Sequence, residues 1–451
     1  MPVRAVIGTQ FGDEGKGKIV DFLSENADIV VRYAGGGNAG HTVVNRLGTF
    51  KARIVPVGMF TETVRLCVIG RGTVPDVRNI IDELKICAEK KIDVNRLMVD
   101  SSAHLIMPWH IAEDRLLEEA KGDGKIGTTG NGIGPCYSDK ILRRNLRAGD
   151  LLNFEVFEKR FIKLKAEKRA YLLGQYSEHF ENCASGCLFC EPMGRTDSED
   201  IAEFKNHISC LANWFGGLEN LICDTLPVLW NAVDNNERIL LEGAQGALLS
   251  IDGGSYPYVT SSNTGAASAS QGSGIPPNKI REVIGVAKAY MSRVGNGPFP
   301  TRMAPKMEKK IREHGKEYGT VTGRPRNCGW FDAPALERVI KENGITYLAI
   351  TLLDILDHAE RIGIGNGYNC IKSGDEGICF DAEHMLRSDN PKAAITYIDG
   401  WGPDKTVRGC KDLDSLPENA KRYIEFIEKS CGRKIKIIST GAAREDTIVI
   451  Y

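Results

Sequence analysis

The chain has almost no net charge: 58 Lys and Arg against 59 Asp and Glu leave −1 at pH 7. That balance supplies no global attraction to nucleic acid or to an anionic membrane. No apolar run approaches the roughly 18 residues that would span a bilayer. Pro- or Ser-rich linkers, internal repeats and low-complexity tracts are missing. The 13 cysteines are odd in number and scattered, which argues for reduced thiols rather than a disulfide framework. The chain enters a strand pattern directly at Val3, without the layout of a signal peptide, so a cytoplasmic protein is expected. A standard phosphate loop, with four residues between its glycines and Ser or Thr after the Lys, is missing as well.

What stands in its place organises the chain. Val3 to Ile7 reads as a buried strand, and Ile19 to Leu23 has apolar positions at helical spacing. Between them lies Gly8-Thr9-Gln10-Phe11-Gly12-Asp13-Glu14-Gly15-Lys16-Gly17-Lys18. A glycine turn from strand to helix lets backbone N–H groups and the helix N-terminus meet an anion. Lys16 and Lys18 add charge for a polyphosphate. Asp13 would repel a phosphate unless a metal or a proton intervenes, so its place in the loop predicts a metal ligand, a base, or both. A second turn, Gly35-Gly36-Gly37-Asn38-Ala39-Gly40-His41-Thr42, follows the apolar run Ile29 to Val31. His41 there can meet a phosphate as donor or acid.

Candidate strands at Ile54–Val55, Leu66–Ile69 and Leu97–Val99 alternate with helical patterns, one of them from Val77 to Glu89. Further strands are expected at Ile239–Leu241, Tyr347–Thr351 and Ile435–Ile438. The expected fold class is α/β: a large, mostly parallel central sheet flanked by helices, with a P-loop-like nucleotide-binding fold. Residues 154–230 are rich in Lys, Glu, Leu and Phe at helical spacing and predict a helical subdomain. It would sit within one interlocked catalytic unit, 1–451, and carry a Cys-rich insertion near 181–195.

Two more glycine loops carry chemistry. Gly127 to Pro135 offers hydroxyls and free amides, and Lys140, Arg143, Arg144 and Arg147 follow it on a short basic helix. In Gly319-Thr320-Val321-Thr322-Gly323-Arg324-Pro325-Arg326, two Arg are held apart by a Pro. Arg forks match carboxylates and phosphates, so this loop can close on an acidic substrate. Gln245, in Glu242-Gly243-Ala244-Gln245-Gly246, can meet an amide-like edge or polarise a carbonyl. Tyr256 to Thr264 is rich in hydroxyls. Asp354 ends a strand, as does Ser439-Thr440-Gly441. An Asp accepts from the N1–H and N2–H₂ edge of guanine and repels the bare N1 of adenine.

These stretches together resemble the adenylosuccinate synthetase family, GTP-dependent ligases of purine synthesis, over nearly the whole chain. The resemblance implies a reaction joining IMP and L-aspartate to adenylosuccinate, with GDP and phosphate released through a 6-phosphoryl-IMP intermediate. It implies a catalytic set of Asp13, His41 and Gln245. Asp13 would remove the N1 proton of IMP and His41 would act as acid at the leaving phosphate. Asp13 and the Gly40 carbonyl would hold one or two Mg²⁺. IMP would meet Asn38, Thr129, Gln245, Thr260, Arg324 and an Arg143 that reaches across a homodimer. Aspartate would meet Thr320, Val321, Thr322, Gly323, Arg324 and Arg326. GTP would meet Gly12, Glu14, Gly15, Lys16, Gly17, Lys18, Gly40, His41, Thr42, Arg326, Leu352, Asp354, Ser439 and Gly441. Neither a nucleic acid nor a membrane is an expected partner.

The chain departs from the family pattern at Leu352, usually Lys, at Asn131, usually Arg or Lys, and at Asn327, usually Arg. A relative with another purine monophosphate or triphosphate donor is therefore one alternative; a GTP-hydrolysing switch, a protein of another class, is the other. Cys183, Cys187 and Cys190, with His179 four residues before the first, have a spacing that can hold a structural Zn²⁺. The same segment also reads as a loop of free thiols.

Overall fold

A computed structural model describes residues 3–122, 126–176, 195–319, 323–372, 375–379, 391–402 and 405–450. Its centre is a ten-stranded sheet. In chain order the strands are β1 (Val3–Gly8), β2 (Ile29–Arg32), β3 (Leu66–Ile69), β4 (Leu97–Asp100), β5 (Ile222–Cys223), β6 (Ile239–Glu242), β7 (Ile280–Lys288), β8 (Tyr347–Thr351), β9 (Ile435–Ser439) and β10 (Thr447–Val449). Across the sheet they run β10-β9-β8-β7-β1-β6-β2-β3-β4-β5, parallel except for β10 against β9. β1 therefore lies between two strands that come more than 200 residues later, with Val6 opposite Glu242 on one side and Ile284 on the other.

Both faces of the sheet are covered, which is why its strands are apolar without alternation. Ala5, Ile7, Val31, Leu241 and Ile350 pack into one core, while Val6, Val30, Leu240, Ile284 and Ala349 pack into the other. The second core takes helices α1 (Lys16–Ser24) and α2 (Val77–Glu89) through Ile19, Val20, Ile80 and Leu84. It also takes α3 (Pro108–Ala120), and α4 (Ile133–Ile141) packs on α3. Helix α2 starts where the Asp76 carboxylate accepts from Arg78 N–H at 2.9 Å, a side-chain cap.

The stretch expected to be helical contains α5 (Phe154–Gln175) and α6 (Asp197–Phe215), the latter opened by a capping box between Thr196 and Glu199. It also contains β5, which returns to the edge of the sheet. Ile54 and Val55, expected as a strand, are not one. The N–H groups of Arg53, Ile54 and Val55 donate to the buried Glu83 carboxylate at 2.8, 3.2 and 2.9 Å, so a side chain of α2 replaces a neighbouring strand. The cysteine segment with His179, Cys183, Cys187 and Cys190 lies outside the described residues, as do Thr320, Val321 and Thr322.

Six strands bring a functional stretch to the same edge: Gly8, Arg32, Glu242, Lys288, Thr351 and Ser439 are all carboxyl-terminal ends. In open parallel sheets that edge is where ligands bind.

Candidate active site

The first glycine loop is pinned from within. Glu14 is fully buried, and its Oε1 accepts from the N–H groups of Gln10 and Gly12 at 3.0 and 2.9 Å. Lys16 Nζ lies 2.6 Å from Oε2, so the loop's own acid takes up its first lysine. A Cβ at Gly8 or Gly246 would stand 2.4 or 2.3 Å from that carboxylate, which fixes glycine at both positions. Asp13 is turned outward in a left-handed conformation, φ +58°, uncommon for a residue with a side chain.

Asp13 Oδ2 pairs with Arg326 Nη2 at 2.7 Å. Arg326 Nη1 also pairs with Glu317 Oε2 at 2.6 Å, and Glu317 Oε1 accepts from Lys288 Nζ at 2.7 Å and Tyr290 OH at 2.5 Å. Burial alone would raise the Glu317 pKa. Lys288, Arg326 and the Tyr290 hydroxyl outweigh it and hold Glu317 at about 2. The outward carboxylate of the first loop thus connects through Arg326 to a buried charge network at the end of β7.

His41 has a different partner. Its Nδ1 lies 2.7 Å from Glu242 Oε1, and the same oxygen accepts from Arg32 Nη1 at 2.7 Å. Glu242 Oε2 accepts from Val57 N–H at 2.8 Å. Burial works against its charge, but the bonds from His41, Arg32 and Val57 keep Glu242 below the usual carboxylate range. Burial, and then Arg32, lower the His41 pKa. We assign the Nδ1 proton to the bond with ionised Glu242, which leaves Nε2 for chemistry.

The other predicted residues gather around these two centres. Asn38 Oδ1 accepts from Gln245 Nε2 at 3.0 Å and from Gly36 N–H at 3.3 Å. The buried Gln245 Oε1 has no partner among the described residues, an acceptor left for a ligand's N–H. Arg324 Nη2 donates to Thr128 O at 3.2 Å, so the fourth loop touches the third, which carries Thr129. Thr260 is half-buried, its N–H bonded to Leu249 O at 2.9 Å. Arg143 stands apart: exposed just after α4 at φ +60°, it follows the exposed Ile141 and Leu142.

Asp354 is buried in a 3-10 turn after β8, next to half-buried Leu352. Lys18, expected to face phosphate, uses its ammonium elsewhere. It donates to Ser439 Oγ at 2.7 Å, Gly441 O at 2.7 Å and Asp446 O at 2.6 Å, and so ties α1 to the loop after β9. Burial lowers its pKa to about 8.

Sequence reasoning did not assign Arg32, Glu242, Lys288 or Glu317. A signal was present for three of them: Arg32 and Glu242 are charged residues closing otherwise apolar strands, and Lys288 closes the apolar second half of β7, the pattern of a side chain leaving the sheet at its functional edge. Glu317 carries no such mark.

Asp13 and the half-buried Gly40 offer hard oxygen donors beside the first two loops. Mg²⁺ is usually held by one or two carboxylates together with substrate phosphates, so this sparse set fits it. Among the described residues there is no group of three or more His, Cys, Asp or Glu that could hold a metal ion; the cysteine segment expected to hold zinc lies outside them. Nor is any described helix long and apolar enough to cross a membrane.

A parallel sheet whose carboxyl edge gathers glycine loops, an outward Asp, a carboxylate-held His and clustered Arg defines a nucleotide-dependent enzyme of phosphoryl chemistry. The adenylosuccinate synthetase family profile matches residues 5–448, and the chain belongs to that family. Its members are Mg²⁺-dependent ligases that bind GTP, IMP and aspartate and join the last two at the expense of the first. The chain is similar to the adenylosuccinate synthetase of Lysinibacillus sphaericus, 41% identical over 446 residues, covering 99% of this chain and 97% of the relative. It is 40% identical to that of Bacillus thuringiensis over 447 residues with the same coverage. The structure of fully ligated adenylosuccinate synthetase from Plasmodium falciparum superposes with a TM-score of 0.86 at 34% identity over 100% of both chains. A cyanophage S-2L succinoaminodeoxyadenylate synthetase, bound to dGMP and dATP as an energy donor, shares the fold: TM-score 0.59 at 19% identity, over 99% of this chain and 95% of that one.

Proposed function

We propose that this chain converts IMP, L-aspartate and GTP to adenylosuccinate, GDP and phosphate at the edge described above. The observation that carries the reading is the pairing of an outward Asp13 on one loop with a His41 anchored to Glu242 on the next. Asp13 takes the N1 proton of IMP, and O6 then attacks the γ-phosphorus of GTP. The imidazole of His41 faces the leaving β-phosphate oxygen, its Nδ1 bond to Glu242 stabilising the ring when it is protonated at Nε2. The negative charge of the triphosphate opposes the burial that otherwise keeps His41 neutral. The aspartate amine displaces the phosphate from C6. Asp13 and the Gly40 carbonyl would hold Mg²⁺, which when bound would supply neutralisation of phosphate charge.

Gln245, with its unpartnered Oε1, meets IMP together with Asn38, Thr129, Thr260 and Arg324. Arg326 and Arg324 draw in the aspartate carboxylates with the loop at 320–323. The base of GTP meets Asp354, Leu352, Ser439 and Gly441, while Gly12, Glu14, Gly15, Lys16, Gly17, Gly40 and Thr42 shape its phosphate site and Lys18 ties that loop to the base side. The enzyme acts in the cytoplasm as one interlocked unit. It works as a homodimer, in which Arg143 completes the partner's IMP site; its exposure beside Ile141 and Leu142 supports this.

Leu352 favours a second reading, a different triphosphate donor. Adenylosuccinate formation measured with GTP, ATP and dATP separates the two. GTP is expected to support turnover at the lowest KM, and equal or better use of ATP or dATP would replace the first reading with the second.

A further inference from the structure

A short segment, residues 406–411, links the turn after β8 to the loop after β9. Asp357 anchors its near end, accepting from Trp401 Nε1 at 2.7 Å, from Val407 N–H at 2.8 Å and from the Thr406 hydroxyl. Its far end is tied to the opposite wall. Thr440 Oγ1 donates to Cys410 O at 3.0 Å, and Lys411 Nζ lies 3.0 Å from both Glu445 O and Asp446 Oδ1. Arg408 sits between these anchors, with its N–H bonded to Thr406 Oγ1 at 3.0 Å. Its side chain is 70% exposed, yet Nη2 reaches Oδ2 of Asp354, which is only 6% exposed, at 3.1 Å. Among the described residues, Arg408 is the ion-pair partner of Asp354.

We propose that Arg408 is a positioning and specificity residue for the base of the nucleoside triphosphate, acting through Asp354. The proposal rests on the reading above that Asp354 meets guanine. A guanine edge needs an ionised carboxylate held still, because N1–H and N2–H₂ both donate. A protonated Asp354 would instead donate its O–H to the N1 lone pair of adenine, and discrimination would narrow.

Burial pushes the Asp354 pKa up and Asp357 on the same turn adds to the push; the guanidinium opposes both. From α1, Lys18 also faces Asp354, but its ammonium is bonded to the loop after β9, where Lys411 and Asp446 lie. Leu352 brings no charge. Arg408 is thus the cation placed to keep this carboxylate both charged and aimed.

The test is steady-state kinetics of the full chain with IMP, aspartate and Mg²⁺, using GTP and ATP between pH 6 and 8, for Arg408→Leu, Arg408→Lys and Asp354→Asn. Arg408→Leu is expected to raise KM for GTP about tenfold, the scale of one charge-assisted hydrogen bond, with kcat within about twofold. The preference for GTP over ATP should narrow, more so toward pH 6, and Arg408→Lys should restore most of it. If Asp354→Asn leaves the GTP-to-ATP preference unchanged, the reading of Asp354 as the base acceptor fails. If Asp354→Asn abolishes the preference while Arg408→Leu keeps the parent KM and pH profile, or lowers kcat alone, the role of Arg408 is overturned.

Discussion

Two ion pairs in this molecule have nearly the same length. Lys288–Glu317 spans 2.7 Å with both side chains 1% exposed, and Lys159–Glu155 on α5 spans 2.6 Å with its side chains 73% and 79% exposed. The first lies beneath the glycine loops, and the second lies in the helical stretch away from the sheet edge. Removing a partner on α5 leaves a charge that water solvates. Removing Glu317 beneath the cleft leaves the Lys288 ammonium buried with neither water nor its counter-charge, at a cost of about 3–5 kcal/mol. Distance does not distinguish them; burial does, and it concentrates sensitivity at the floor of the active site.

The largest effects are expected where that floor meets substrate. Asp13→Asn should abolish adenylosuccinate formation, because base and metal ligand are lost together. His41→Asn should cost several orders of magnitude in kcat, at or above the upper end of what a positioned acid contributes. Retention of parent kcat by either variant would refute its assigned role.

Next comes Glu317→Gln, which strands Lys288 and frees Arg326 to hold Asp13 alone. Its thermal midpoint should fall well below that of the parent, with kcat falling as well. The pH dependence is specific. Glu317 is held near 2 in the fold against an ordinary value of 4.5. The folded state therefore binds fewer protons than the unfolded chain across that interval. The stabilisation is fully present above about 4.5 and is lost as pH falls toward 2. Urea titrations from pH 6 to 3 should show a steeper acid loss in the parent than in Glu317→Gln.

A smaller, conditional effect concerns the exposed Arg143. Arg143→Leu and Asp13→Ala proteins, each inactive, should recover part of the activity when their subunits exchange, since one hybrid site has both residues. No recovery after demonstrated exchange would remove the shared site. The smallest effect is expected on α5, where Lys159→Ala should change stability by under ~0.5 kcal/mol and leave kinetics untouched.

The legible parts of the sequence were those with a local cause. Continuous apolar runs marked β2, β3, β4, β6 and β8, and glycines beside Asp13 and His41 marked the loops. The strand expected at Ile54–Val55 failed because its backbone partners come from the Glu83 carboxylate on a helix, a tertiary substitution that no window of sequence contains. β7 was not anticipated, since Arg281 and Glu282 interrupt its apolar start, and β5 is only two residues long. Site residues on glycine turns were visible. Their holders were not, because Glu242 reaches His41 across 201 residues and Arg408 reaches Asp354 across 54. Lys18 shows the same limit. Its position in a glycine loop reads as phosphate charge, and only the fold reveals that Ser439, Gly441 and Asp446 claim it.

The most direct test of the central claim is phosphate release from GTP by the purified protein with Mg²⁺, measured with IMP and aspartate together, with each alone, and with neither. An Asp13 that serves a second substrate predicts release only when both are present, matched one to one by adenylosuccinate. Release at a comparable rate with neither present would contradict the account and leave a GTP-hydrolysing switch in its place.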